Sequence, residues 1–290
     1  MECLQHAACC RYVDGWGAAV ERGRVPRLDV LDVTSPNPAR MTNYLLGGKD
    51  HYPADREACA RLLQLVPAAR QVADSAHRFL LRVTSQLVRE YGVRQFVVLG
   101  AGLPTPVAVH QVAQSIDARA RVVYADEDAL VLAHARALWE DRRRTLVVRG
   151  GPLQTRQLLG DPAVRRLIDI TLPVAVLFVS VLHTIPEPAD PAVVLEQTAA
   201  LLAPGSLVAA SHLVGEDADV RRQADAVWRE AAGGRWGRVR PRAEVGPYFG
   251  ALRLLAPGLV DVGRWRPGSD RTAGSGDRAW AEYGGVALVR

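Results

Sequence analysis

The chain is short of lysine, cysteine and uninterrupted apolar sequence, and each shortage closes off a class of explanation. Lys49 is the only lysine among 36 basic residues, in a chain of 290 residues with a formal net charge of +5. The other basic residues are arginines interspersed with Asp and Glu, without a block of five like charges. Such mixing reads as a solvated surface and not as a nucleic-acid patch. The four cysteines, Cys3, Cys9, Cys10 and Cys59, form no CxxC pair. The spacing that a disulfide framework or a structural zinc site needs is therefore missing, and His6 beside Cys3 and Cys9 is only a weak metal signal. Reduced thiols, no metal and a cytoplasmic setting are expected. The most apolar stretch, Leu172–Leu182, has 11 residues, against the ~20 that span a bilayer. Residues 1–25 also lack the basic start and apolar centre of a secretory signal. These shortages leave a small molecule as the expected partner, with neither nucleic acid nor membrane; homodimer formation stays open.

With 49% hydrophobic and 23% charged residues, the composition suits a globular protein with a full core. The length fits one α/β domain with a helical appendage. Residues 1–33 show no periodicity and read as an irregular arm. Residues 34–90 read as helix and loop. Ser35-Pro36-Asn37-Pro38 is turn chemistry ahead of one helix, and a second covers 53–65. A third runs from Pro67 to about residue 90, with Val72, Phe79, Leu80, Val83 and Leu87 at helical spacing. From residue 91 onward short apolar runs alternate with helical patterns. Strands are expected at 95–99, 121–125, 145–148, 174–181 and 206–211, with helices at 106–117, 129–140, 155–168 and 191–202. Final strands are expected at 252–255 and 286–289, and 268–276 reads as a Gly/Ser-rich loop. The central runs are apolar throughout, without two-residue alternation, which predicts a mostly parallel twisted sheet with helices on both faces.

The first of these strands runs into Gly100-Ala101-Gly102-Leu103-Pro104-Thr105. Glycines at such a turn let the backbone approach a ligand, and the helix that follows presents unpaired N–H groups. Thr105 stands where a dinucleotide fingerprint has its third glycine, so a tight turn without a ligand stays open as a reading. Asp126 ends the next strand 24 positions after Gly102. That is close to the ~20 expected of an acid whose two oxygens accept the ribose hydroxyls. Glu127 and Asp128 follow. Asp128 is expected to cap the next helix, leaving Asp126, with Glu127 beside it, for the ligand. Loop and acid together point to a nucleoside-binding crevice.

The segment Ala39-Arg40-Met41-Thr42-Asn43-Tyr44-Leu45-Leu46-Gly47-Gly48-Lys49-Asp50, followed by Ala54-Asp55-Arg56 and Arg78-Phe79-Leu80, resembles the N-terminal signature of a bacterial family. That family was once catalogued as a domain of unknown function and is now described as S-adenosylmethionine (SAM)-dependent methyltransferases. Gly102-Leu103-Pro104-Thr105, Val131-Leu132-Ala133-His134-Ala135-Arg136, Val181-Leu182-His183 and Leu202-Ala203-Pro204-Gly205-Ser206 carry the similarity on, over about residues 30–290. The resemblance implies a Rossmann-like class I methyltransferase fold, with a helical lid over 34–90 and a SAM-binding catalytic domain over 91–290. The implied cofactor set is Gly100, Ala101, Gly102, Leu103, Thr105, Asp126 and Glu127, joined by Arg40, Tyr44 and Asp50 from the lid.

The chain departs from the family pattern at two acids. The first strand of family members usually carries an Asp where this chain has Val98, and an Asp-Leu-Arg segment usually follows the third strand where this chain has Gly151-Pro152-Leu153. The first acid helps hold the methionine end of SAM and the second can meet the adenine amino group. Two lost hydrogen bonds of ~1.5–3 kcal/mol each would weaken binding by two to four decades unless Asp50 or Asp126 compensates. The usual Tyr-Asp before Tyr44 is Thr42-Asn43.

Catalytic candidates are few. His183 follows the central strand and could take a proton from an O or N nucleophile, or could equally hydrogen-bond the crevice floor. Lys49 could pair with Asp50 or Asp126, contact an anion, or serve a structural ion pair. Trp228, Trp236, Tyr248 and Phe249 flank an Arg/Gly-rich stretch and read either as an aromatic substrate pocket or as anchors of a surface loop. The leading expectation is methyl transfer to a small molecule in specialised metabolism. Non-methylating chemistry on the same fold (cyclisation, elimination or decarboxylation) and non-catalytic ligand binding are the alternatives.

Overall fold

A computed structural model describes residues 32–250, 252–267 and 279–290. The arm up to residue 31, with Cys3, His6, Cys9 and Cys10, and the Gly/Ser-rich 268–276 segment lie outside the described residues. Three helices come first: α1 (Pro38–Leu45), α2 (Pro53–Leu65) and α3 (Ala69–Tyr91). α1 starts at Asn37, whose side chain accepts the amides of Ala39 and Arg40, with Pro38 preset for the first turn. Beyond α1 the chain turns at Gly47, whose φ of 79° favours glycine. α3 buries Val72, Phe79, Val83 and Leu87 of the predicted stripe, together with Ala76, while Leu80 is half-buried, and it stops at Gly92 in left-handed backbone.

The remainder alternates: β1 (Gln95–Leu99), α4 (Val109–Ile116), β2 (Arg121–Asp126), α5 (Ala129–Trp139), β3 (Thr145–Arg149), α6 (Thr155–Gly160), α7 (Pro162–Leu167), β4 (Ala175–Phe178), α8 (Pro191–Ala199) and β5 (Leu207–Gly215). Then come α9 (Ala218–Ala231), α10 (Arg242–Val245), β6 (Arg253–Leu254), β7 (Val260–Asp261) and β8 (Trp280–Leu288). The sheet order is β3-β2-β1-β4-β5-β8-β6, with β7 also on β8. The first five strands pair in parallel, and β8 runs antiparallel to β5. Val97, Val123, Val176 and Val208 fill one face, and Phe96, Val98, Tyr124 and Leu177 the other. Burial on both faces is why the strands read as unbroken apolar runs. A third apolar group joins Met41, Leu62 and Val72 to Leu213, Val227, Trp228 and Trp280. The helices of 34–90 thus pack on α9 and the end of β5, within the single unit Val33–Arg290.

Several boundaries differ from the sequence reading for local reasons. The helix expected over 155–168 is two, because Asp161 caps α7 and Pro162 opens it. β4 ends at Phe178, and Ser180 then turns the chain with a φ of 59°. β5 and β8 both extend to nine residues because they pair along their whole length. Among the described residues no helix is long and apolar enough to cross a membrane.

Candidate active site

From β1 the chain crosses to β2 on one side, while β4 lies on the other. This reversal opens a crevice at the carboxyl ends of β1 and β4, the place where open α/β sheets bind ligands. Gly100 and Gly102 have φ of 68° and 66°. A Cβ at Gly100 would stand 2.6 Å from Cγ2 of Val181, so the loops after β1 and β4 touch. A Cβ at Gly102 would meet nothing within 4 Å, so that backbone faces open space. Ala101 is half-buried and Leu103 buried, and the Thr105 hydroxyl donates to the Val107 carbonyl at 2.8 Å.

The expected row of unpaired N–H groups at the following helix is corrected. α4 starts at Val109, not at residue 106, and its first amides are engaged. The Ala108 amide donates to Oε1 of Gln111 at 2.8 Å, and the His110 amide to the Tyr124 hydroxyl at 2.9 Å. Asp126 instead organises the loop. Its Oδ2 accepts the Gly102 amide at 3.0 Å and its Oδ1 the Asp128 amide at 2.9 Å. Each oxygen keeps a further lone pair. Burial raises the Asp126 pKa above the usual carboxylate value, against the backbone hydrogen bonds that lower it.

Asp128 caps α5 by accepting the amides of Leu130 and Val131, as expected. Its other oxygen accepts Nδ2 of Asn37 at 2.6 Å, which ties the start of α1 to the rim of the crevice. Exposed Glu127 lies against Gly151: a Cβ there would stand 2.8 Å from Cδ and 3.0 Å from Oε1 of Glu127. The carboxylate thus fills the space that a side chain at position 151 would enter. Val98, where the family pattern has an acid, is 4% exposed and packs with Tyr124 and Leu177.

The lid residues expected at the cofactor have the following partners. Arg40 is 2% exposed, and its Nε donates to Oδ2 of fully buried Asp55 at 2.8 Å, with a further bond to the Ser35 carbonyl. Its guanidinium is committed to holding α1 on α2. Asp55 also accepts the amides of Asn37 at 2.9 Å and Tyr52 at 2.7 Å. Tyr44 packs edge-on to His51, with the Arg70 guanidinium 4.5 Å from its ring centroid. The Asp50 side chain is exposed, and its amide donates to Oδ1 of Asn43 at 2.9 Å. A Cβ at Gly48 would stand 2.4 Å from the Asn43 amide group, so the Gly-Gly-Lys-Asp turn is built around that side chain. Exposed Lys49 forms no ion pair with Asp50, Asp126 or any other described residue.

A second polar group is formed by residues just after β4, on β5 and near the start of β8. The Glu282 side chain, 2% exposed, accepts the Ser211 hydroxyl at 2.6 Å and the Ser180 hydroxyl at 2.7 Å. The Ser180 amide donates to the Ser211 oxygen at 2.8 Å. Burial pushes the Glu282 carboxyl up to about 7. His183 lies with Nδ1 4.0 Å from Glu282 Oε1, but that nitrogen accepts the Leu213 amide at 3.1 Å. Burial, aided by Arg240, lowers the His183 pKa to about 3. The imidazole is therefore neutral, with its Nδ1 lone pair already taken. This arrangement favours the floor-bonding reading of His183 over the proton-accepting one. Sequence reasoning missed Ser180, Ser211 and Glu282. The signal available was a serine inside the apolar stretch that ends in Leu182, and a glutamate next to a Tyr-Gly-Gly run.

The aromatic residues are mostly anchors. Trp228 and Trp236 stack with centroids 5.2 Å apart, Trp236 donates to Asp225 at 3.1 Å, and Phe249 is buried. Half-buried Tyr248 lies 5.9 Å from the ring of His212, which accepts a hydrogen bond from Arg240 at 3.1 Å.

The family model described as S-adenosyl methyltransferase matches residues 26–290. A DUF574 family protein from Streptomyces avermitilis is 33% identical, with 89% of this chain and 99% of that chain covered, and superposes with a TM-score of 0.81. A candidate methyltransferase from Thermobifida fusca is 32% identical, with 92% and 100% covered and a TM-score of 0.82. No functionally curated protein is matched by the sequence. With a glycine loop pinned by Asp126 at the switch point of the sheet, and a family match that runs from residue 26 to the last residue, this chain belongs to the S-adenosyl methyltransferase family and its cofactor is SAM.

Proposed function

We propose that the protein transfers the methyl group of SAM to an oxygen or nitrogen nucleophile of a small molecule, in specialised metabolism and in a cytoplasmic setting. The observation that carries this reading is the pinning of Gly102 by Asp126 beside open space at the switch point. The residues present fit the cofactor. Asp126 has lone pairs left for two ribose hydroxyls, and the Gly100–Gly102 backbone can be approached closely. Glu127 brings a carboxylate to position 151, where the usual acid is absent, and is suited to accept from the adenine amino group.

Bound SAM supplies a methyl group on a sulfonium, already a good leaving group, so the main task of the chain is alignment. Asp126 and Glu127 would hold the nucleoside from the β2 side. The loop after β4, packed on Gly100 through Val181, would present the acceptor from the other. The N-terminal helices, tied down through Asn37 and Asp128, would limit access by water.

Calorimetric titration with SAM and with S-adenosylhomocysteine tests this reading. Both should bind at micromolar affinity or better, and Asp126→Ala should weaken binding at least tenfold, at ~1.5–3 kcal/mol per hydrogen bond to a charged group. Absence of binding to a folded wild-type sample would overturn the proposal.

A further inference from the structure

We infer that Ser180 and Glu282 form a proton relay for the acceptor: the Ser180 hydroxyl receives the proton of the nucleophile and hands its own to the carboxylate behind it. The inference rests on the methyl-transfer reading above. Three observations carry it. First, Ser180 lies two residues beyond β4, in the loop proposed above to present the acceptor, and is half-buried, whereas Glu282 is shut away at 3% exposure. Second, the one hydroxyl hydrogen of Ser180 is given to Oε1 of Glu282 at 2.7 Å, which leaves its oxygen lone pairs to accept from a ligand. Third, Ser180 holds a φ of 59°, which is unfavourable for a residue with a Cβ, and its amide is fixed on the Ser211 oxygen. Strain held in place by surrounding bonds is typical of working positions.

The charge environment of Glu282 supports the same role. Its polar contacts come from Ser180 after β4, from Ser211 on β5, and from His183 at 4.0 Å. Behind His183 stand His212, 5.6 Å away between ring centroids, and Arg240, which bonds His212. No arginine or lysine pairs with Glu282 among the described residues. A buried carboxylate without a cation is costly unless it is hydrogen-bonded. Burial holds this carboxyl near neutrality, where an acid both ionises and takes up a proton readily. His183 cannot substitute for it while its Nδ1 accepts the Leu213 amide.

The step balances. The bond from methyl carbon to sulfur breaks with its electron pair left on sulfur, while the new bond to oxygen or nitrogen uses a lone pair of the nucleophile. The proton released there moves to Ser180 Oγ as the hydroxyl hydrogen of Ser180 moves to Glu282 Oε1. The positive charge of the sulfonium and the negative charge of the carboxylate disappear together.

The first test needs no acceptor. Infrared difference titration with S-adenosylhomocysteine bound should show one carboxyl band lost between about pH 6 and 8, and missing in Glu282→Gln. Absence of a carboxyl that titrates in this window would overturn the relay. The second test follows SAM-dependent methylation of a panel of phenols, hydroxy acids and aromatic amines. For an acceptor turned over by the wild type, Ser180→Gly should lower kcat about a hundredfold or more with KM within a factor of two. Glycine is at ease at a φ of 59°, which offsets part of the cost of leaving Glu282 Oε1 without the Ser180 bond, and Ser211 still bonds the other oxygen. Glu282→Gln should lower kcat as far and lose the rise in rate through pH 7. Wild-type rate and pH profile in Ser180→Gly would sink the relay while leaving methyl transfer standing. Failure of the wild type to bind SAM would remove the methyl-transfer reading itself, and the relay with it.

Discussion

Glu127 and Gly151 share one small space at the mouths of β2 and β3, with the carboxylate of one where a side chain of the other would be. Gly151 has extended backbone, φ −126° and ψ −177°, open to any residue. If Glu127 supplies the acid that position 151 lacks, Glu127→Ala should weaken SAM binding about tenfold or more, and Gly151→Asp added to it should restore most of the loss. Calorimetry on the two single variants and the double variant reads the coupling directly. Glu282 allows a separate prediction, with the sign set by its raised pKa. The fold binds a proton at this carboxyl more tightly than the unfolded chain does, so stability falls as pH rises from 4.5 through about 7. A shift of that size corresponds to about 3 kcal/mol. Glu282→Gln should therefore match the wild type in melting temperature near pH 4.5 and exceed it at pH 8.

At the scale of elements, the signature segment of α1 and α2 is a structural knot before it is anything else. Arg40, Asn37 and Tyr52 all converge on the carboxylate of Asp55, which is fully buried. Asp55→Ala would leave the buried Arg40 guanidinium without its carboxylate, and should destabilise by about 3–5 kcal/mol in urea denaturation. Arg61→Ala removes an exposed pair with Glu230 across the same helices and should change stability by less than about 1 kcal/mol.

The same elements explain what could be read in advance. β1 to β3, the glycine loop and Asp126 were legible because their signals are local: an apolar run, a turn residue and a fixed spacing. The cap at Asp128 was legible for the same reason. The Arg40–Asp55 pair carries no local signal because the two residues lie 15 positions apart on different helices. Ser180 and Glu282 were missed because they lie 102 positions apart and meet only through the pairing of β5 with β8. Gly284 and Gly285 interrupt the apolar pattern of β8, and α9 carries its apolar face toward the N-terminal helices and not toward the sheet alone.

Over the whole molecule, the described chain is one parallel sheet with an antiparallel edge, and its N-terminal helices are built into the same unit. The side chain of Asn37 caps α1 with its oxygen and bonds Asp128, the cap of α5, with its nitrogen. Two helix starts and the rim of the nucleoside crevice are thereby linked through one amide group. By linkage, a ligand that steadies the acids after β2 must also steady the first turn of α1. The amides of Ala39 and Arg40 should then exchange with deuterium more slowly when S-adenosylhomocysteine is bound, and this protection should disappear in Asn37→Ala. The opening turn of α1 would in that case serve as a reporter of occupancy, sensing from outside whether the nucleoside crevice is filled.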